Sequence, residues 1–238
     1  MFDGSVFGNI EFIRSTRVRR LSVRISAEGI KVMLAPGVSD KEAVQFVETN
    51  KKLILQKQQK IIAKHGENRI LLNENSTLHT RTFDIIIKRA ERTNVFFRFK
   101  DAVLTIEIPT TTNCEADETQ VVFWNGIKYF LRKEAKRILP VRLKTLAEQF
   151  GFTYSNVKIQ SSRGRWGSCS THKSINFSFY LMLLPQHLID YVILHELCHT
   201  REMNHSEKFW LQMDKVTANT SKALRHELKN YKLPHIPD

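Results

Sequence analysis

The chain has little cysteine: Cys114, Cys169 and Cys198 are three in number, odd, and far apart. That excludes a disulfide framework and points to a reducing compartment, the cytoplasm. No run of eighteen apolar residues occurs, so no transmembrane helix is expected. Met1 to Asn9 lacks a basic stretch followed by a long apolar one, so no secretory signal is expected. There is no internal repeat, no low-complexity tract and no P-loop, which removes solenoids and the commonest phosphate cradle from consideration. Acidic residues are outnumbered, 24 against 37 Lys and Arg, for a net charge of +13. The excess is spread along the chain with no basic tail. A solvated basic surface accounts for it; a polyanionic partner or substrate is the alternative.

At 238 residues the chain can bury one good core or two modest ones. Its fold class reads as α+β. Leu21, Val23 and Ile25 alternate with polar residues, and Ile30, Val32 and Leu34 do so again after Ala27-Glu28-Gly29. Two alternating runs with a short Gly-containing link predict a β-hairpin, its solvent face coated by Arg17, Arg19, Arg20 and Arg24. Ser39 with Glu42 has the capping-box spacing, and one helix is predicted from 39 to about 63. Its expected buried side is Ala43, Phe46, Val47, Leu53 and Ile54. Residues 64–78 read as a loop, and strands are expected near 82–88, 94–100 and 103–108. The Thr-rich stretch from Pro109 to Asn113 punctuates the chain. The expected organisation is an antiparallel β-rich N-terminal domain over 1–112 and a helical domain with a small sheet over 113–238.

In that second part a helix opens at Asp117, should kink or restart at Pro140, and should stop at Gly151. Strands follow at 157–159 and 174–180. Then comes the segment that carries chemistry: His195-Glu196-Leu197-Cys198-His199, with His205 six residues on. Leu188, Ile189, Val192, Ile193 and Leu197 recur at helical spacing, so the motif lies on an amphipathic helix. Histidines four apart project from one face of a helix, the geometry for two imidazoles on one zinc ion. The Glu beside the first His reaches the ion's open vertex and can take a proton from water there. Cys198, between the ligands, reads as a small buried packing residue. On a straight helix His205 would be rotated by about 240° from His199, so the helix must stop between them, with Asn204 as the stopping residue and Ser206 capping the next helix. His205 completes a known three-His spacing; Glu202 and Glu227 are the competing third ligands. The Gly usual three residues after the second His is here Glu202, which sets the chain apart from the metzincins.

The segments Arg163-Gly164-Arg165-Trp166-Gly167-Ser168-Cys169 and His195-Glu196-Leu197-Cys198-His199-Thr200-Arg201-Glu202-Met203-Asn204-His205-Ser206 resemble the YgjP-like family of metallopeptidase-like hydrolases, related to the SprT and WLM zinc peptidases. The resemblance implies a minimal zincin domain behind a β-rich N-terminal domain. It implies His195, His199 and His205 as Zn²⁺ ligands and Glu196 as catalytic base. It leaves the substrate open between peptide and nucleotide.

For a peptidase, the strand at 175–180 should act as an edge that pairs with an extended substrate, with Asn176 and Tyr180 as contacts. For a nucleoside triphosphate pyrophosphohydrolase, Arg163 and Arg165 beside Gly164 and Gly167 would cradle phosphate, and Trp166 would stack on a base. A third reading is a nucleic-acid-associated protein with structural zinc, which would need a fourth protein ligand.

Overall fold

The computed structural model describes residues 10–26, 29–67, 70–231, 233, 234 and 236. The stretch Met1 to Asn9 and the Ala27-Glu28 link, both read above, lie outside the described residues. The chain divides into two compact units, Met1–Ile70 and Leu71–Asp238.

In the first unit, β2 (Ser22–Ile25) and β3 (Ile30–Leu34) form the expected hairpin, Val23 facing Val32. β1 (Ile10–Arg14) lies on the other edge of β3 and runs parallel to it. The sheet is therefore mixed, not antiparallel throughout. The link from β1 to β2 reverses the chain and leaves a gap that β3 then fills. Arg17, Arg19, Arg20 and Arg24 are all exposed. The capping box forms in full: Glu42 N–H donates to Ser39 Oγ at 3.2 Å and Ser39 N–H to Glu42 Oε2 at 2.8 Å. The expected single helix is two, α1 (Asp40–Thr49) and α2 (Lys51–Glu67), separated at Asn50, whose side-chain amide donates to the Phe46 carbonyl at 2.8 Å. Ala43, Val47 and Ile54 are buried, but Phe46 and Leu53 are exposed. Each of these two lies one residue, about 100°, off the buried stripe.

The second unit opens with a four-stranded sheet, order β4-β5-β7-β6, from β4 (Leu78–His79), β5 (Asp84–Ala90), β6 (Phe96–Lys100) and β7 (Val103–Pro109). β5 and β7 pair in parallel. Asp101 and Ala102, both at positive φ, make the tight turn between β6 and β7. The Thr-rich stretch after β7, read as a domain boundary, joins β7 to α3 (Asp117–Phe150) inside this unit. Ile85, Ile87, Leu104 and Ile106 of the sheet share one core with Phe123, Trp124, Ile127 and Leu131 of α3.

α3 runs through Pro140 without restarting. Proline there removes one intrahelical hydrogen bond, and buried side chains on both sides of it, from Phe123 to Ala147, hold the helix against the core. Gly151 ends it at φ 66, a conformation that costs glycine nothing. A second sheet follows, β8 (Asn156–Gln160), β9 (Gly167–Cys169) and β10 (Ser174–Ser178), order β8-β10-β9. A 3-10 turn over Phe179–Leu183 leads to α4 (Gln186–His199), α5 (Glu207–Val216) and α6 (Ser221–Asn230). The fold is α+β. No helix is long and apolar enough among the described residues to cross a membrane.

Candidate metal centre

α4 is apolar on nearly every side, and Leu188, Ile189, Val192, Ile193, Leu194 and Leu197 are all buried. Such a helix belongs inside a core. Arg142 of α3 locks it from outside: its Nε and Nη2 donate to the two carboxylate oxygens of Asp190 at 2.7 and 2.8 Å. The last turn of this fixed helix carries His195, Glu196 and His199.

The helix ends at His199. The Thr200 hydroxyl donates to the Leu197 carbonyl at 2.7 Å, and the Glu202 N–H to the Cys198 carbonyl at 2.9 Å. His199 Nδ1 then hydrogen-bonds the Glu202 carbonyl at 3.0 Å. This local folding-back does the work assigned above to Asn204, which does not adopt a left-handed conformation. Ser206 stands at the N-cap of α5 but makes no side-chain capping bond.

The turn brings His205 back over α4. His195 Nε2 lies 3.2 Å from His199 Nε2 and 3.1 Å from His205 Nε2, and the three rings offer ligand atoms all within 4.8 Å of one another. Nitrogens bound tetrahedrally to zinc at about 2.0–2.1 Å stand about 3.3–3.4 Å apart, so the observed spacing fits a shared ion. The Nδ1 bond to a carbonyl puts the His199 proton on that nitrogen and leaves its Nε2 lone pair free. Phe209 of α5, fully buried, packs against all three rings, at 4.9, 4.6 and 4.8 Å between centroids.

The electrostatics agree. Burial, then the neighbouring His199 and His205, pushes His195 down to about 3. Burial also lowers His199. Both rings are neutral near pH 7, the form that ligates a cation. Burial pushes Glu196 up to about 8, opposed by the charge of Arg165. Glu196 is 5% exposed, and its Oε2 has no hydrogen-bond partner among the described residues. A dication in the same pocket would reverse that penalty. The donor set therefore fits a divalent metal with nitrogen preference.

Neither competing ligand joins the cluster. Glu202 contributes its backbone carbonyl to His199, and the Glu227 carboxylate is taken by His187 at 2.7 Å. Cys198 is fully buried and its thiol is pushed up to about 12 by burial, which suits a packing role.

His195 and His205 open onto a cavity of about 710 Å³, walled by Trp166, Gly167, Tyr191 and Trp210 and, from α6, by Arg225 and Lys229. Of the residues expected around it, Arg165 acts on Glu196 through its charge. Arg163 and Tyr180 do not line it. They face a separate cavity against α3, with Lys128 and Arg132, and Arg163 Nε donates to the Tyr180 hydroxyl at 3.3 Å. Tyr180 lies in the 3-10 turn, beyond the strand, and is buried. Asn176 bridges its own sheet, accepting from Gln160 at 3.0 Å and donating to Ser168 Oγ at 3.3 Å. β10 is the central strand, paired on both sides, so it cannot receive a substrate strand.

The edges of this sheet are β8 and β9, and β9 is the one that touches Glu196. The Trp166 carbonyl and the Ser170 N–H bond across to β10 at 2.8 and 3.0 Å. By alternation, Gly167 and Cys169 turn their N–H and C=O groups to the opposite edge, where no strand pairs among the described residues. Gly167 also abuts Glu196: a Cβ there would lie 2.6 Å from Oε1. A lone glycine in a strand is the signature of such a close approach, and that signal was available in the sequence. Arg225 and the three-ring contact of Phe209 left no trace there.

Two solved structures are similar over part of the chain. The metallopeptidase zymogen abylysin of Pyrococcus abyssi is 20% identical with a TM-score of 0.36, covering 41% of this chain and 100% of its own. The metallopeptidase zymogen jannalysin of Methanocaldococcus jannaschii is 21% identical with a TM-score of 0.34, covering 38% and 93%. No curated protein matches. The sequence itself matches the YgjP-like, metallopeptidase domain family over residues 19–231, a span that holds both the R-G-R-W-G-S-C segment and every histidine of the cluster, and the chain belongs to that family.

Proposed function

We propose that the protein is a zinc-dependent peptide hydrolase in which His195, His199 and His205 hold the metal and Glu196 is the general base. The observation that carries this reading is the contact between the free-edged β9 and Glu196 beside the three converging imidazoles. Bound there, the ion supplies Lewis acidity toward water and toward a carbonyl oxygen. The protein supplies the rest. An extended peptide pairs its backbone with Gly167 and Cys169 and is thereby carried past the carboxylate. Glu196 takes the proton of the attacking water on a carboxylate oxygen and passes it to the leaving amine nitrogen.

The phosphate-cradle alternative loses one of its two arginines, since Arg163 lines another cavity. The structural-zinc alternative lacks a fourth ligand among the described residues. The test is a parallel screen of the zinc-loaded protein against a peptide library and nucleoside triphosphates, with Glu196→Gln as control. Peptide cleavage that depends on metal and on Glu196 is the expected result. Triphosphate hydrolysis without peptide cleavage would overturn it.

A further inference from the structure

The cavity over the histidines carries a charge pattern that hydrolysis alone does not require. Arg225 and Lys229 stand four residues apart on α6, hence on one face, and both line the cavity together with His195, Glu196 and His205. The Arg225 guanidinium sits 4.8 Å from the ring centroid of Trp210. Trp210 in turn stacks on His205, with centroids 5.9 Å apart and planes 27° from parallel. Trp210 thus contacts both the candidate ligand His205 and the Arg225 guanidinium, which it holds beside the candidate metal position.

Neither cation is neutralised among the described residues. The one acidic residue between them on α6, Glu227, is engaged by His187, and no carboxylate pairs with Arg225 or Lys229 among the described residues. Glu196 is the single carboxylate of the cavity wall among the described residues. A stacked guanidinium without a carboxylate partner is a preformed fork for one, able to hold both oxygens at once. The net charge of +13 adds a long-range field that draws anions toward such a site.

Resting on the peptidase reading, we infer that Arg225, assisted by Lys229, receives a substrate carboxylate close to the scissile bond. The preferred substrate is then a peptide bearing an acidic side chain or a free C-terminal carboxylate at that distance. The two sources share one chemistry and are separable by experiment.

The probes are internally quenched peptides, identical except for Asp or Asn at one scanned position, each made as C-terminal acid and as C-terminal amide. The zinc-loaded protein is expected to favour the best carboxylate-bearing peptide over its neutral partner by at least about tenfold in kcat/KM. A preference that follows Asp assigns the side chain; one that follows the free acid assigns the terminus. In Arg225→Gln that ratio should fall toward one, and Arg225→Lys should restore part of it. Binding gives a readout free of turnover: in a Glu196→Gln background, quenching of tryptophan fluorescence should report tighter binding of the carboxylate peptide, a difference that Arg225→Gln abolishes. Cleavage of charged and neutral peptides alike, or a ratio unchanged in Arg225→Gln, overturns this inference and leaves the peptidase reading standing. No cleavage and no saturable binding of any peptide overturns both.

Discussion

Gly167 and Glu196 touch so closely that no side chain fits between them: a methyl built on Gly167 would lie 2.6 Å from Glu196 Oε1 and 2.7 Å from its Cγ. Gly167 does not need a positive φ, so alanine there strains no backbone and acts only through the collision. Gly167→Ala is therefore expected to displace the carboxylate and lower kcat at least about tenfold, with metal content and the thermal midpoint little changed. Activity at the level of the unmodified protein would show that Glu196 tolerates the shift or does not take part.

Glu196→Gln keeps the shape of the side chain and removes its basicity. Turnover should fall by about two to four orders of magnitude, while zinc stoichiometry, measured on the dialysed protein, stays at that of the parent. Loss of metal in this variant would move Glu196 from proton transfer to metal retention.

The sequence carried the parts of the site that are local. His195, Glu196 and His199 share one turn of a helix whose apolar residues declare its burial, and spacing alone places them. The need for a break before His205 followed from helix geometry, but the residue making it did not: the turn is built by Thr200 and Glu202 backbone and hydroxyl bonds, which no residue type advertises as strongly as Asn or Gly does. Strand order was illegible. Nothing in the alternation of 174–178 says that β10 has a partner on each side, and so β10 was read as an edge strand. Nor does spacing separate the two arginines: Arg163, two residues from Arg165 in sequence, faces a different cavity.

Phe209 links all three imidazoles from one side. Phe209→Leu keeps an apolar group while withdrawing the ring, so the expected effect is looser positioning of the ligands rather than unfolding. Zinc affinity, read by competition with a chromogenic chelator, should weaken about 10–100-fold. An unchanged affinity would reduce Phe209 to core filling.

Acid should weaken the second unit partly through Glu134. Its buried carboxylate accepts from Arg137 Nε at 3.1 Å and Nη2 at 2.5 Å, and the hydrogen bond from Arg137 holds it below the ordinary 4.5. A carboxyl depressed in the folded state stabilises the fold above its unfolded pKa, and that contribution is lost as pH falls through the folded value. Urea midpoints of Glu134→Gln should therefore change less between pH 7 and pH 3 than those of the parent. Parallel pH profiles would mean that the pair is energetically silent.

Metal removal separates the cofactor from the fold. The core of the second unit runs from the first sheet through α3 to α4 and is filled by side chains independent of the histidines, so the chelated protein should keep its far-ultraviolet dichroism. Its stability should nonetheless drop, because an ion that binds only the folded state adds about 2.7 kcal/mol at a hundredfold excess over its Kd. The check is the thermal midpoint across a zinc titration of the chelated protein, which should rise with the logarithm of free zinc and lose that slope in His195→Ala. A midpoint indifferent to zinc in the unsubstituted chain would mean that the three imidazoles, though 3.1 and 3.2 Å apart at their Nε2 atoms, do not share an ion in the folded state.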